Sequence, residues 1–257
     1  MNETYQEYIN RVVPLTLKTT LEGKLNHIQK SPKFERGKPV AFPGYTIMTP
    51  PYAEDQDNQA FYNSLQKCQE ELVKALDSEL LISLPPESFH LTVADLVWDS
   101  TYLAGVKENP DFDNILKQEV NKCFDKYKES EKFDKVIELQ LLGLTVFPRA
   151  LAICLVNKTE SDYLHIMNIR QAVYQNRLMI ALGVQQQHSF VGHVTLGYFG
   201  EVNPESHSDR LLEIITKINE QWIDKETPTL KIQRIQLRKF DNMVNYYREA
   251  NWPEIVI

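Results

Sequence analysis

The stretches SFHLTVADL (residues 88–96) and GHVTLGYFG (residues 192–200) are near copies of one another. Each sets a histidine, and two positions later a threonine, inside an otherwise apolar run. Side chains alternate between the two faces of a strand. In the first stretch His90 and Thr92 therefore share one face, while Phe89, Leu91 and Val93 share the other. In the second, His193 and Thr195 oppose Val194 and Leu196. Such a chain must build sheets that are sealed by an apolar layer on one side only, and it must do so twice.

The surrounding pattern supplies the layers. A short helix is expected over residues 3–12, interrupted by Pro14. The turn-rich stretch SPKFERGKPVAFPGYT leads into a short strand, YTIMTPP, stopped by two prolines. Apolar residues at helical spacing predict a helix from Asp57 or Asn58 to about Leu80, and another over 111–127. The segment KVIELQLLGLTVFPRALAICLV reads as a hairpin turning at Phe147-Pro148-Arg149. Further helices are expected over 160–181 and 205–223. The alternating TLKIQRIQLRKF predicts a strand near the C-terminus, which MVNYYREA pairs with. Each half thus offers strands, a helix and then a His-x-Thr strand. The reading is an α+β fold of two similar lobes around a shared cleft, with residues 1–38 as an N-terminal extension and 39–257 as one bilobal domain.

Composition narrows the partners. The formal charge is −7, with no concentrated block of Lys and Arg. Proteins that grip long nucleic acid draw most of their affinity from neutralising phosphates. A nucleotide or an RNA end fits better than a long duplex. No apolar run reaches membrane-spanning length, so no membrane partner is expected. The three cysteines, Cys68, Cys123 and Cys154, are far apart and form no CxxC, which favours a reducing, cytoplasmic setting. A monomer is expected.

Two facing His-x-Thr strands place two imidazoles around one spot with two hydroxyls beside them. A neutral histidine accepts a proton from water or a ribose hydroxyl, and a protonated one gives a proton to a leaving oxygen. Threonine hydroxyls donate to non-bridging phosphate oxygens, where charge gathers. His90 and His193 are therefore the candidate catalytic pair, and Thr92 and Thr195 the candidate phosphate ligands. No metal or other cofactor is needed, and the histidines lack HxH or HExxH spacing. Arg149, at the hairpin turn, is a candidate for substrate contact, the alternative being an exposed turn residue. Tyr45 is a candidate for stacking on a nucleobase, the alternative being a buried aromatic. Strict alternation puts Tyr198 on the core side, away from His193. The residues alone leave open a binding module that holds a nucleotide or phosphorylated metabolite without cleaving it, and a fold in which the histidines are incidental.

At FHLTV and GHVTL the chain resembles the two-histidine phosphoesterase superfamily, whose signature is a pair of His-x-Ser/Thr-x motifs. GYTIMTPP, the hairpin around VFPRAL and the strand LKIQRIQL fall in that family's order, so the resemblance spans roughly residues 40–245. The FPGYT start is similar to a little-characterised bacterial and fungal branch. The resemblance implies two lobes whose antiparallel sheets line a central cleft, helices outside, related by a pseudo-two-fold. It also implies metal-independent cleavage of a phosphodiester, commonly a 2',3'-cyclic phosphate, a related cyclic phosphate or a 2'–5' linkage. Only His90, Thr92, His193 and Thr195 carry over directly. Which histidine is acid and which is base stays open.

Overall fold

The computed structural model describes residues 3–130, 135–223 and 228–257. Its architecture follows from where each apolar face finds cover. Thr4 and Glu7 form a capping box that opens helix α1 (Tyr5–Val12), and Pro14 falls in a single 3-10 turn before α2 (Lys18–Leu25). These helices are not loose appendages. Tyr8, Val12, Leu21 and Leu25 are wholly buried, and the Tyr8 ring stacks on Tyr163 at 4.5 Å. A small hairpin, β1 (Phe34–Glu35) and β2 (Lys38–Pro39), then precedes β3 (Gly44–Met48). After it come α3 (Gln59–Ala75), β4 (Leu81–Ser83), β5 (Thr92–Trp98), α4 (Asp99–Glu108) and α5 (Phe112–Ser130). The second part of the chain runs β6 (Ile137–Phe147), β7 (Ala150–Asn157), α6 (Glu160–Tyr174), α7 (Arg177–Ala181), β8 (Gly192–Phe199) and α8 (Pro204–Ile223). It ends with β9 (Thr229–Ile232), β10 (Arg234–Phe240), β11 (Tyr246–Tyr247) and β12 (Glu254–Val256).

The larger strands form two antiparallel sheets. One has the order β11-β10-β3-β5, with β12 also paired to β10. The other has the order β4-β8-β7-β6-β9. Strands β5 and β8 approach each other where the sheets meet. The fold is α+β, with two antiparallel sheets, as expected. The lobes are not the two halves of the sequence, however. β4 leaves the first part of the chain to join the second sheet, and β10 to β12 return from the C-terminus to complete the first. The alternating run 229–240 is therefore two strands rather than one. The chain passes between sheets at Gln233, with β9 paired to β6 and β10 paired to β3.

Three further differences have local causes. Helix 160–181 is two helices, because Asn176 is extended (ψ 122°) and its side chain accepts from the N–H groups of Leu178 and Met179, starting α7 afresh. The helix at α4 has little apolar periodicity and was not expected. Helix α3 stops at Ala75, where Leu76 turns extended.

Bulges set which residues face the cleft. In β8, Gly197 pairs with Leu151 and Thr195 with Ala152, so Leu196 is the extra residue. Its carbonyl accepts from the Leu84 N–H at 2.9 Å and from Gln69 Nε2 at 2.7 Å. Gln69 is buried on α3 and also donates to the Leu84 carbonyl at 2.7 Å. Replacing Gln69 by Leu withdraws the side-chain donor from both buried carbonyls. We expect Gln69→Leu to lose about 1–3 kcal/mol of stability, read from urea unfolding midpoints at unchanged slope.

Candidate active site

Residues 89–91 are tied to the segment after β3 before the regular part of β5 begins. The Thr49 N–H donates to the Leu91 carbonyl at 3.0 Å, Leu91 N–H donates to Thr49 Oγ1 at 3.0 Å, and Tyr52 N–H donates to the Phe89 carbonyl at 2.8 Å. Phe89, Leu91 and Val93 are 1%, 0% and 0% exposed, whereas His90 and Thr92 are half-buried on the other side. In β8, Val194 and Leu196 are fully buried and His193 and Thr195 are half-buried. Gly192 before His193 is required by space: a Cβ there would come within 2.8 Å of Leu139 and 3.0 Å of the Leu155 carbonyl. The alternation expected at both motifs is present.

The two histidines have matching surroundings. His90 Nδ1 lies 2.7 Å from the Ser88 carbonyl, and His193 Nδ1 lies 2.8 Å from the Val191 carbonyl. A carbonyl only accepts, so each Nδ1 carries the hydrogen and each Nε2 keeps its lone pair in the neutral ring. An aromatic ring flanks each imidazole: Tyr246 lies 4.4 Å from His90, and Phe147 lies 4.7 Å from His193, between ring centres. Among the described residues, neither the Nε2 atoms nor the hydroxyls of Thr92 and Thr195 have a hydrogen-bond partner.

Electrostatics separate the two rings. Burial pulls the His90 imidazole from 6.5 to about 4; the Ser88 carbonyl opposes this, and the positive charges of His193 and Arg238 add to it. Burial also lowers His193, but there the Val191 carbonyl and the Asp95 carboxylate both oppose the fall, while Lys33 adds to it. Arg238, on β10, is 1% exposed, and its charge is felt at His90. Its Nη1 and Nη2 donate to Glu54 at 2.8 and 2.5 Å, and its Nε and Nη2 donate to Gln236 Oε1 at 3.0 and 2.6 Å. That pairing holds the Glu54 carboxyl below the ordinary carboxylate value.

The other sequence candidates separate. Arg149 stands exposed in the β6–β7 turn, and its charge is felt at Lys33. Tyr45 is 1% exposed and lies on the opposite face of its sheet, against Tyr102 and Trp252 at 5.9 Å each. A ring enclosed in this way has no face left for a nucleobase, so the buried alternative holds for Tyr45. Tyr198 is corrected in the other direction. The bulge at Leu196 shifts the alternation by one, leaving Tyr198 half-buried, with its ring 5.4 Å from the Lys33 ammonium.

Sequence reasoning missed Lys33, Asp95, Tyr246 and Arg238. Two bulges in β5, seen in its pairing with β3, put Thr92, Asp95 and Trp98 on one side at a spacing of three, which strict alternation hides. Lys33 and Tyr246 reach the cleft from segments remote in sequence. Among the described residues, no group of three or more His, Cys, Asp and Glu is placed to hold a metal ion, and no helix is long and apolar enough to cross a membrane.

Residues 33–106, which include the first motif, match a family model described as 2H-phosphodiest, a domain of unknown function (DUF1868). The match covers the part of the chain that carries His90 and Thr92 and stops before the second motif. No curated protein matches it. A conserved protein of unknown function from Agrobacterium tumefaciens, ATU0111, aligns over 95% of this chain and 97% of its own, at 15% identity and a TM-score of 0.57, a likeness of fold. Escherichia coli LigT in complex with 3'-AMP aligns over 84% of this chain and 95% of its own, at 11% identity and a TM-score of 0.43. TT0787 of Thermus thermophilus aligns over 76% and 86%, at 13% identity and a TM-score of 0.42.

The depressed His90 value has a consequence for stability. Between about pH 4 and 6.5 the unfolded chain binds a proton at this position that the folded chain refuses. Stability from this group therefore falls as the pH drops through that window and falls no further below it. We expect His90→Asn to lose less stability than the wild type between pH 7 and pH 4, by up to about 3 kcal/mol, measured by urea unfolding at each pH.

Proposed function

We propose that this protein is a metal-independent phosphodiesterase of the two-histidine kind. It hydrolyses a cyclic (2',3'-type) or 2'–5' phosphodiester of a nucleotide or RNA end. The observation that carries the reading is the duplicated environment of His90 and His193. In both, Nδ1 is committed to a backbone carbonyl, Nε2 is free, an aromatic ring backs the imidazole, and an unpartnered threonine hydroxyl stands two residues on. The family match to residues 33–106 supports phosphodiester chemistry in general.

The chemistry follows from the protonation states. Burial keeps both rings neutral at neutral pH in the free protein. A phosphodiester anion between them favours the charged form of a neighbouring imidazole, so binding draws one proton into the site. His193, beside the Asp95 carboxylate, takes it; His90, beside Arg238, stays neutral. His90 Nε2 then accepts a proton from the attacking water as its oxygen bonds to phosphorus. His193 Nε2–H gives its proton to the ester oxygen as that P–O bond breaks. Thr92 and Thr195 donate to the non-bridging oxygens, where negative charge builds. Proton exchange with solvent restores the starting state. Each proton-transfer step contributes roughly 10²–10⁴-fold.

The test is hydrolysis of 2',3'-cyclic nucleotides, 2'–5' dinucleotides and 3',5'-cyclic nucleotides in the presence of EDTA. We expect turnover of at least one of the first two classes. We expect His90→Ala and His193→Ala each to lose at least about a hundredfold in kcat while remaining folded. Turnover that EDTA abolishes, or either variant matching the wild type, would sink the mechanism. Unaltered ligand recovered from a tight complex would instead favour the binding module.

A second expectation concerns the division of roles. Asp95→Asn removes the charge that sustains the His193 proton. It should move the alkaline limb of the kcat against pH profile to lower pH while leaving the acid limb in place. A shift of the acid limb alone would reverse the assignment of acid and base.

A further inference from the structure

Residues 29–42 run as a strap from one lobe to the other. Gln29 N–H donates to the Pro148 carbonyl at 2.7 Å and Ser31 N–H to the Phe199 carbonyl at 2.8 Å, both in the second lobe. Phe42 N–H then donates to the Asp241 carbonyl at 2.8 Å, beside the end of β10. Lys33 lies between these anchors. Its own backbone is held at both ends: its N–H donates to Ser31 Oγ at 3.3 Å, and its carbonyl accepts from Val40 at 3.0 Å.

The Lys33 side chain turns inward. Its ammonium lies 4.7 Å from the Phe42 ring centre and 5.4 Å from that of Tyr198. Burial lowers its pKa, the nearby Asp95 carboxylate opposes that fall, and the Arg149 guanidinium adds to it. Asp95 is nevertheless not close enough to form an ion pair with it. Among the described residues, neither Lys33 nor Arg149 has a side-chain hydrogen bond or ion pair. A half-buried cation faced mainly by aromatic rings has given up much of its hydration without gaining a hydrogen-bonding anion. The second cation beside it deepens the positive potential. The arrangement suits an anion that arrives with the ligand.

The Lys33 charge also reaches His193, so an anion held here lies at the edge of the same cleft. From His90, ring contacts run to Tyr246 at 4.4 Å, from Tyr246 to Phe240 at 5.5 Å, and from Phe240 to Phe42 at 6.5 Å, before Lys33 is reached. An apolar wall of this kind suits the sugar or base of a nucleoside. We propose that Lys33, assisted by Arg149, forms a second anion subsite, so that the preferred ligand is a nucleotide bearing a further phosphate beyond the one held by the two histidines. The placement of the first phosphate rests on the function proposed above.

The experiment compares adenosine 3',5'-bisphosphate with adenosine 3'-monophosphate by titration calorimetry at fixed ionic strength. The proteins are the wild type, Lys33→Met, Lys33→Arg and Lys107→Met, which alters an exposed lysine on α4. We expect the wild type to bind the bisphosphate at least about tenfold more tightly. Lys33→Met should bring the ratio near one, while Lys33→Arg and Lys107→Met keep most of it. Equal affinities in the wild type, failure of both ligands to bind, or a preference that survives in Lys33→Met would each overturn the subsite. Near-ultraviolet circular dichroism of Lys33→Met, unchanged from the wild type, separates loss of the cation from loss of the fold. Turnover of the phosphodiester panel without a bisphosphate preference removes this inference and leaves the phosphodiesterase standing. A Lys33-dependent preference without turnover does the opposite.

Discussion

One hydrogen bond at each histidine orders the cleft: Nδ1 of His90 to the Ser88 carbonyl, and Nδ1 of His193 to the Val191 carbonyl. Each bond fixes a tautomer and a ring orientation together. Each also needs the chain two residues upstream to bend its carbonyl back toward the ring. At the first motif a 3-10 turn, Pro86–Ser88, does this, and at the second the short irregular approach to β8 does it. The flanking strands, the aromatic backing and the free hydroxyls have chemical meaning only because the Nε2 lone pairs are presented in this way.

The wider fold serves that presentation by unequal means. At His193 the support is regular sheet, with the residue paired directly to Cys154. At His90 it is a set of bonds to residues 49–52, next to prolines that cannot continue a ladder. The electrostatic surroundings are unequal too. The charge of a guanidinium is felt at one ring and that of a carboxylate at the other. Two nearly identical motifs thereby acquire different proton affinities, which is what separate acid and base roles require.

Much of this was legible in the sequence because the pleat is a strong constraint. Phe89, Leu91 and Val93 against His90 and Thr92 could be sorted by alternation alone, and the same holds for Val194 and Leu196 against His193 and Thr195. The hairpin at Phe147-Pro148-Arg149 was equally plain. What alternation could not reveal were its own interruptions. The bulge at Leu196 turned Tyr198 into the cleft, and the two bulges in β5 exposed Asp95. Tyr45 illustrates the reverse problem, since an aromatic in a short strand after a turn does not announce which sheet face holds helices. Lys33 and Tyr246 are brought in by tertiary contacts, and no local pattern marks them. The change of sheet at Gln233 was hidden because both strands carry the same apolar period.

The exchange of strands between lobes also governs how the molecule comes into being. The second sheet is complete once the chain has been made through Ile232, but the first still lacks β10, which pairs along the whole of β3. A chain synthesised from its N-terminus therefore carries β3 and β5, the strand of the first motif, with one ladder open until β10 has been made. The lobe built on β3 closes after the other. The two-histidine cleft thus forms only after β10: a polypeptide stalled before Arg234 has the first motif in its sequence and an unpaired edge on β3.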